Sequence, residues 1–315
     1  MSPTYRQVQV EGSTAMQQIL ALVQDSPRDH VHVVDLPYRL SSWAWSSPSQ
    51  TRQWVTPEGE LHAWACLQTP FWSVDLAVHH DAPPTLTGEV LSWVDAQAQM
   101  ALSTEYGRPM WFTFAFSDQP QLIADLAAAG YESQAEGADA WSMVLMRHVP
   151  ASPGPPTELP SGFTLRPLRG PSEVGAYVDL HRSVFNSDSM SEGWRAAVLR
   201  QPAYDADLDL VIADPDDELA AFGIGWLGPT GWDNQPSGQI EPLGVADRYR
   251  GQGLGRAIAE ECVRRLYAKG AHDVYVETDL DRNAALALYE AVGFRVERSI
   301  LVFRKTYVSS GGDEL

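Results

Sequence analysis

This chain closes twice in the same way, and that constrains it more than any other feature. In QPQLIADLAAAGYE, residues 119–132, an apolar-periodic helix stops at Gly130, an aromatic follows, and SMVLMRH at 142–148 reads as a strand. In ALALYEAVGFRVER, residues 285–298, a helix stops at Gly293, Phe294 follows, and SILVFRKTYV at 299–308 again reads as a strand. The openings match too: YRQVQV at 5–10 and FTLRPL at 163–168 each lead into a helical stretch. A unit of roughly 150 residues occurring twice accounts for both. Between the copies, HVPASPGPPTELPSGF at 148–163 carries five prolines and reads as a semi-rigid linker. Domains are therefore expected at 1–150 and 163–315, with a Pro-rich linker at 151–162.

In the second copy the pattern predicts a strand at 163–168, helices at 173–186 and 191–200, and strands at 208–213, 219–227 and 238–245. A helix at 253–268, a strand at 273–278, a helix at 283–292 and two closing strands complete it. The first copy offers strands at 31–37, 60–66 and 72–79, a helix at 86–104 and a strand at 110–116. The expected fold class is α/β in the broad sense (α+β), a mixed sheet flanked by helices in each copy.

The formal charge is −19 over 315 residues, with a pI near 4.7. Such a field repels polyanions, so nucleic acid is not an expected partner, and cationic or neutral substrates fit better. No basic-then-apolar leader and no apolar run of about 20 residues is present, which predicts a cytoplasmic protein without a membrane partner. Cys66 and Cys262 match no metal-ligand spacing and are expected to be buried thiols, with no metal site.

Against this acidity, RYRGQGLGR at 248–256 stands out. It follows the strand IEPLGV and runs into LGRAIAEECVRRL, whose Leu254, Ile258, Cys262 and Leu266 share one helical face. At a helix N-terminus the first amides are unpaired and the dipole is positive, and glycines let a phosphate approach them. Arg248, Arg250 and Arg256 add charge aimed at the same anion. A dinucleotide fold also has a strand, a glycine loop and a helix, with Glu277 as its acid. Its third glycine would fall at Arg256, however, and too little chain follows for a doubly wound sheet. A triphosphate loop needs Gly-Lys-Ser/Thr, which is absent.

Arg250-Gly251-Gln252-Gly253-Leu254-Gly255 resembles the R/Q-x-x-G-x-G/A motif of the GNAT superfamily of acyl-CoA-dependent N-acyltransferases. TDLDRNAALALYEAVGF at 278–294 is similar to that family's segment in which an asparagine precedes a helix bearing a tyrosine. The resemblance covers residues 163–305 and implies two tandem GNAT-like domains, each a mixed, mostly antiparallel sheet flanked by helices, with acetyl-CoA as acyl donor. It also implies that the backbone around Leu243, Gly244 and Val245 meets the pantetheine arm. Arg250 and the amides of Gly251, Gln252, Gly253, Leu254, Gly255 and Arg256 would hold the pyrophosphate, with Asn283 near the pantetheine. Tyr289 would protonate the departing thiolate, a sensible exchange between a phenol of pKa about 10 and a thiol near 8.5.

A base is also needed, because an amine arrives protonated. Glu241 is the candidate: it lies on the strand before the loop, where alternation places Gln239, Glu241, Leu243 and Val245 on one face. In the first copy, Leu126 aligns with Tyr289 and Pro120 with Asn283, while HHDAPPTLTGEVL at 79–91 stands in place of the loop. That copy is expected to be degenerate, with His79 and His80 as surface loop residues. His181, Asp188 and Glu192, with Trp194 as an apolar wall, are candidates for the acceptor side. The expected function is N-acetylation of a small, cationic amine. The alternatives are a non-catalytic acyl-CoA binder or sensor and a protein or peptide N-acetyltransferase.

Overall fold

A computed structural model describes residues 5–9, 12–45, 47, 49–137, 140–150 and 157–308. Residues 151–156 of the expected linker lie outside the described residues. In chain order the elements are β1 (Arg6–Val8), α1 (Gly12–Asp25), α2 (Leu36–Arg39), β2 (Thr51–Val55), β3 (Leu61–Gln68) and β4 (Ser73–Val78). Next come α3 (Thr85–Ala101), β5 (Met110–Phe116), α4 (Pro120–Ala128), β6 (Glu132–Ser133) and β7 (Ser142–His148). The second half supplies β8 (Thr164–Pro167), α5 (Val174–Phe185), α6 (Glu192–Val198), β9 (Asp209–Ala213), β10 (Leu219–Gly228) and β11 (Ser237–Val245). It ends with α7 (Leu254–Ala268), β12 (Asp273–Asp279), α8 (Asn283–Val292) and β13 (Phe294–Thr306).

The chain packs as two compact units that interleave in sequence. The first comprises residues 1–31, 42–142 and 300–315, the second 32–41 and 143–299. In the first unit β1 to β5 follow one another across the sheet, and residues 300–306 of β13 pair antiparallel with β5, Ile300 facing Phe116. In the second, β8, β9, β10 and β11 form an antiparallel run, β12 joins β11 in parallel, and β7 pairs antiparallel with β12. Each half of the sequence thus gives its closing strand to the other unit. No helix among the described residues is long and apolar enough to cross a membrane.

The repeated helix, glycine and aromatic are realised as read. Gly130 and Gly293 have φ of +83° and +112°, and Tyr131 and Phe294 are buried. The two expected closing strands after Gly293 are one continuous strand, β13. The expected strand at 31–37 is corrected: residues 31–35 bend, and Leu36–Arg39 form a helical turn with Pro37 in its first positions. Proline fixes φ and removes a ladder donor, which overrides the apolar alternation of Val31 and Val33.

Candidate active site

The core of the second unit gathers Ile240, Leu254, Ile258, Cys262, Leu266, Val274, Val276 and Tyr289, with Leu243, Val245 and Leu288 packed against it. Gly244 is needed for this packing, since a Cβ there would lie 2.6 Å from Phe222 Cζ and 2.7 Å from Val184 Cγ1. Two irregularities in β11 make a site of this core surface. First, β11 pairs with β12 only at Ser237, Gly238 and Gln239, although β12 continues to Asp279 and β11 to Val245. Residues 240–245 are therefore laddered to β10 alone, and the edge that carries Leu243 and Val245 stays open to an extended ligand.

Second, Gly223 faces Leu243 and Gly225 faces Ile240, so Ile224 alone stands opposite Glu241 and Pro242. This bulge breaks the expected alternation. Ile240 shares the core side with Leu243 and Val245, and Gln239 falls on the other. The expectation that Gln239, Glu241, Leu243 and Val245 share one face is corrected accordingly. Trp226 Nε1 donates to the Glu241 carbonyl at 2.7 Å and fixes the bulge. Burial, reinforced by the charge of Asp35, pushes the Glu241 carboxyl up to about 8; Arg39 and Arg282 oppose the rise and Asp279 adds to it. The Glu241 charge in turn raises the phenol of Tyr289, whose main cause of elevation is burial. The two expected catalytic groups therefore lie within electrostatic reach of each other. Tyr289 is the one buried residue of α8 and stacks edge-on with Phe294 at 5.7 Å.

At the corner after β11, Gly251 and Gly253 have φ of +76° and +82°, and Gly253 caps α7 without any side-chain hydrogen bond. Nothing lies within 4 Å of a Cβ built on Gly251, and Thr157 Cγ2 is 3.5 Å from one on Gly253. The glycines are required by backbone conformation, not by crowding. Leu254 and Gly255 are buried, and Gln252 is exposed. The arginines, expected to point at the anion, are paired within the protein: Arg248 with Glu218 at 2.7 Å, Arg250 with Asp247 at 2.9 Å and Arg256 with Glu260 at 2.7 Å. Exposed pairs of this kind contribute at most about 1 kcal/mol and exchange readily for a phosphate. Asn283 is exposed at the first position of α8, its amide donating to the Asp281 carbonyl at 2.9 Å.

Sequence reasoning missed a further group of residues. His32 Nδ1 lies 3.1 Å from Asp35 Oδ2 and 3.7 Å from Glu277 Oε2. Gln239 ties them together: its Oε1 accepts from the Asp35 amide at 3.1 Å and its Nε2 donates to Glu277 Oε1 at 3.2 Å. Burial, with Asp35 and Glu241 nearby, raises the Glu277 carboxyl well above its usual range, against the pull of Arg39. Among the described residues, His32, Asp35 and Glu277 are one of three groups close enough to share a metal ion, with Asp25, His79 and His80, and Asp233, His272 and Asp273. The signal available in sequence was Asp35-Leu36-Pro37, an acid directly before a helical turn opened by proline.

On the expected acceptor side, Asp188 and Glu192 are exposed while His181 and Trp194 are buried. His181 Nε2 lies 3.5 Å from the Tyr38 hydroxyl, and Trp194 Nε1 donates to the Tyr38 carbonyl at 3.4 Å. Burial, assisted by Arg195 and Arg182, lowers His181 to about 4 and keeps it neutral.

Residues 176–294 match the acetyltransferase (GNAT) family. A mycothiol acetyltransferase of Salinispora arenicola is 30% identical over 227 residues, 70% of this chain and 69% of that protein. The chain belongs to the GNAT acetyltransferase family. A mycothiol acetyltransferase of Acidothermus cellulolyticus is 26% identical over 182 residues, 54% of this chain and 56% of its own length. The chain thus spans between about half and two thirds of these curated relatives. Among solved structures, a GCN5-related N-acetyltransferase of Sphaerobacter thermophilus aligns with a TM-score of 0.65 at 17% identity, covering 98% of this chain and 99% of its own. A tandem GNAT protein from the clavulanic acid biosynthesis pathway aligns with a TM-score of 0.66 at 12% identity over 98% and 99%. At these identities they support the tandem fold alone.

Proposed function

We propose that the second half of the chain transfers an acetyl group from acetyl-CoA to the amine of a small molecule by direct attack, and that the first half is a degenerate copy. The observation that carries this reading is the open edge of β11, which leads from a carboxyl of near-neutral proton affinity into a glycine-rich helix N-terminus. The pantetheine arm lies along Leu243, Gly244 and Val245, with Asn283 beside it. The pyrophosphate rests on the amides of residues 251–256, and Arg250 and Arg256 turn from their surface partners to it.

The acceptor ammonium gives one proton to the Glu241 carboxylate. The freed nitrogen attacks the thioester carbonyl, the nitrogen–carbon bond forms, and the carbon–sulfur bond breaks. The departing thiolate takes a proton from Tyr289, which is reprotonated by the second proton of the new amide nitrogen; Glu241 later releases its proton to water. A base of pKa about 8 suits this work near neutrality, because it is partly ionised yet strong enough to accept from an ammonium. Relatives named for mycothiol, whose synthase has a similar tandem layout, favour a small-molecule acceptor over a protein or a sensor role. The net charge disfavours nucleic acid, and a cytoplasmic setting fits the two buried free thiols. The test is incubation of the protein with acetyl-CoA and a panel of primary amines, with acetylated product read by mass spectrometry. Product that depends on Tyr289 supports the reading; CoA binding without any transfer would favour the sensor.

A further inference from the structure

The segment at 32–41 belongs to the second unit, far from the rest of that unit in sequence. It brings His32, Asp35, Tyr38 and Arg39 to the carboxyls of Glu277 and Glu241. We propose that Asp35, with Glu277, anchors the ammonium group of the acceptor beside Glu241 and so determines specificity for cationic amines. This rests on the acetyl-transfer reading above.

The Asp35 and Glu277 carboxyls converge on His32, and the charges of both Asp35 and Glu241 act on Glu277. Asp35 is 2% exposed, its Oδ2 faces His32, and its Oδ1 has no hydrogen-bond partner among the described residues. A buried carboxylate oxygen without a donor is costly, and a ligand that supplies one relieves the cost. Gln239 holds the arrangement from both sides, through the Asp35 amide and the Glu277 carboxyl, and leaves Asp35 Oδ1 to face a cation. An ammonium has three donors in a compact head, which suits convergent oxygens, whereas the open edge of β11 beside Glu241 suits the thioester. Asp35 would keep the substrate positively charged end in place while Glu241 takes the proton.

The test uses two isosteric surrogate acceptors, propylamine, which is protonated at pH 7.5, and O-ethylhydroxylamine, which is neutral there. Asp35→Asn in the full-length enzyme is expected to lower kcat/KM for propylamine on the order of tenfold or more, the usual consequence of removing a charged hydrogen-bond partner. For O-ethylhydroxylamine the loss is expected to stay below about threefold. Melting temperature and CoA affinity check the fold, and Asp35→Glu, which keeps the charge, is a second variant expected to retain most of the preference for propylamine. An equal loss for both acceptors, or none, in Asp35→Asn overturns the anchor while leaving acetyl transfer standing. Wild-type protein that acetylates neither acceptor, yet binds CoA, removes the reading on which the anchor rests. Loss of wild-type transfer on treatment with EDTA, with metal retained by wild type and lost in Asp35→Asn, would assign His32, Asp35 and Glu277 to a metal ion and equally overturn the proposal.

Discussion

In the first unit β4 pairs in parallel with β5 at Ser73 and Phe112 alone, then runs through residues 79–84 into α3. In the second, β11 leaves β12 after Gln239 and Tyr275 and runs through residues 246–253 into α7. The two corners share a topology and differ in chemistry. The first ladders β3 to β4 without a bulge, Ala63 facing Val78 through to Gln68 facing Ser73. Its turn has no left-handed glycine, and its amides are used internally: His79 donates to the His62 carbonyl, Asp81 to His79 Nδ1 and Ala82 to the His79 carbonyl. Its side chains form a stack, His62 on His79 at 4.8 Å and His79 on His80 at 4.5 Å, with Asp25 3.1 Å from His80. The second corner has a bulge at Glu241 and Pro242, glycines at positive φ and an uncapped helix. A splayed parallel pair therefore survives on hydrophobic patterning alone, while an anion site requires a particular backbone conformation and free amides.

The largest expected effect breaks the second corner. Gly253→Val places a β-branched residue at φ +82°, which costs about 1–2 kcal/mol in backbone strain and puts methyl groups where the proposed phosphate site lies. CoA affinity measured by calorimetry should fall at least 100-fold while circular dichroism shows a folded protein. Unchanged affinity in the folded variant would show that the glycine corner is not the anion site. Next in size, Tyr289→Phe should lower kcat by about 100-fold and leave the KM for acetyl-CoA within about threefold, because in the proposed mechanism the hydroxyl acts only as the thiolate leaves. The aligned position in the first unit, Leu126, is buried and has no hydroxyl to lose. Equal turnover with chemistry rate-limiting would place Tyr289 in the core packing only.

The readability of the two corners in sequence differs for the same physical reason. The β11–α7 corner was legible because its requirements are local: glycines at 251 and 253, and a helix face spelled by Leu254, Ile258, Cys262 and Leu266. The repeat at Gly130 and Gly293 was legible likewise. The bulge was not, since a two-for-one mismatch depends on the partner strand β10, and it undid the assumed face of Gln239. The contribution of residues 32–41 was hidden as well. Val31 and Val33 imitate strand alternation, and only packing with Gln239 and Glu277, more than 200 residues on, brings His32 and Asp35 to those side chains. Strand β2 at Thr51–Val55 escaped notice too, because TRQWV mixes charge with apolar residues in a short run.

A smaller effect sharpens the role of the bulge. With the Glu241 carboxyl near 8, the base is protonated at lower pH, so kcat/KM should rise about tenfold per unit until pH approaches 8 and then level. Glu241→Gln should lower the rate and flatten that rise. Stability should move the opposite way with pH. The folded state holds this proton where the unfolded chain, with an ordinary glutamate, has lost it, so stability falls as pH climbs from about 4.5 through 8. Glu241→Gln should remove that loss and make the variant more stable than wild type at pH 8.5, on the order of 1–3 kcal/mol, but not at pH 4.5. Equal denaturant midpoints at both pH values would mean that Glu241 titrates as a solvated carboxyl.

The smallest expected effect is none at all, and it concerns the first corner. Titration of the full-length protein with acetyl-CoA should give one site per chain, and His79→Ala with His80→Ala should leave both stoichiometry and affinity unchanged. A pyrophosphate at residues 79–84 would meet amides already engaged by His62 and His79, and the carboxylates of Asp25 and Asp81 close by. The helix that follows begins after Pro84, which has no side-chain donor, and the turn offers no arginine to offset the ligand charge. Displacing those hydrogen bonds and leaving phosphate charge unpaired would cost several kcal/mol, about the whole affinity of a millimolar ligand. A stoichiometry near two, or weaker binding in the double histidine variant, would show that the stacked histidines and not the glycines mark a working corner, and the contrast between the two units would have to be redrawn.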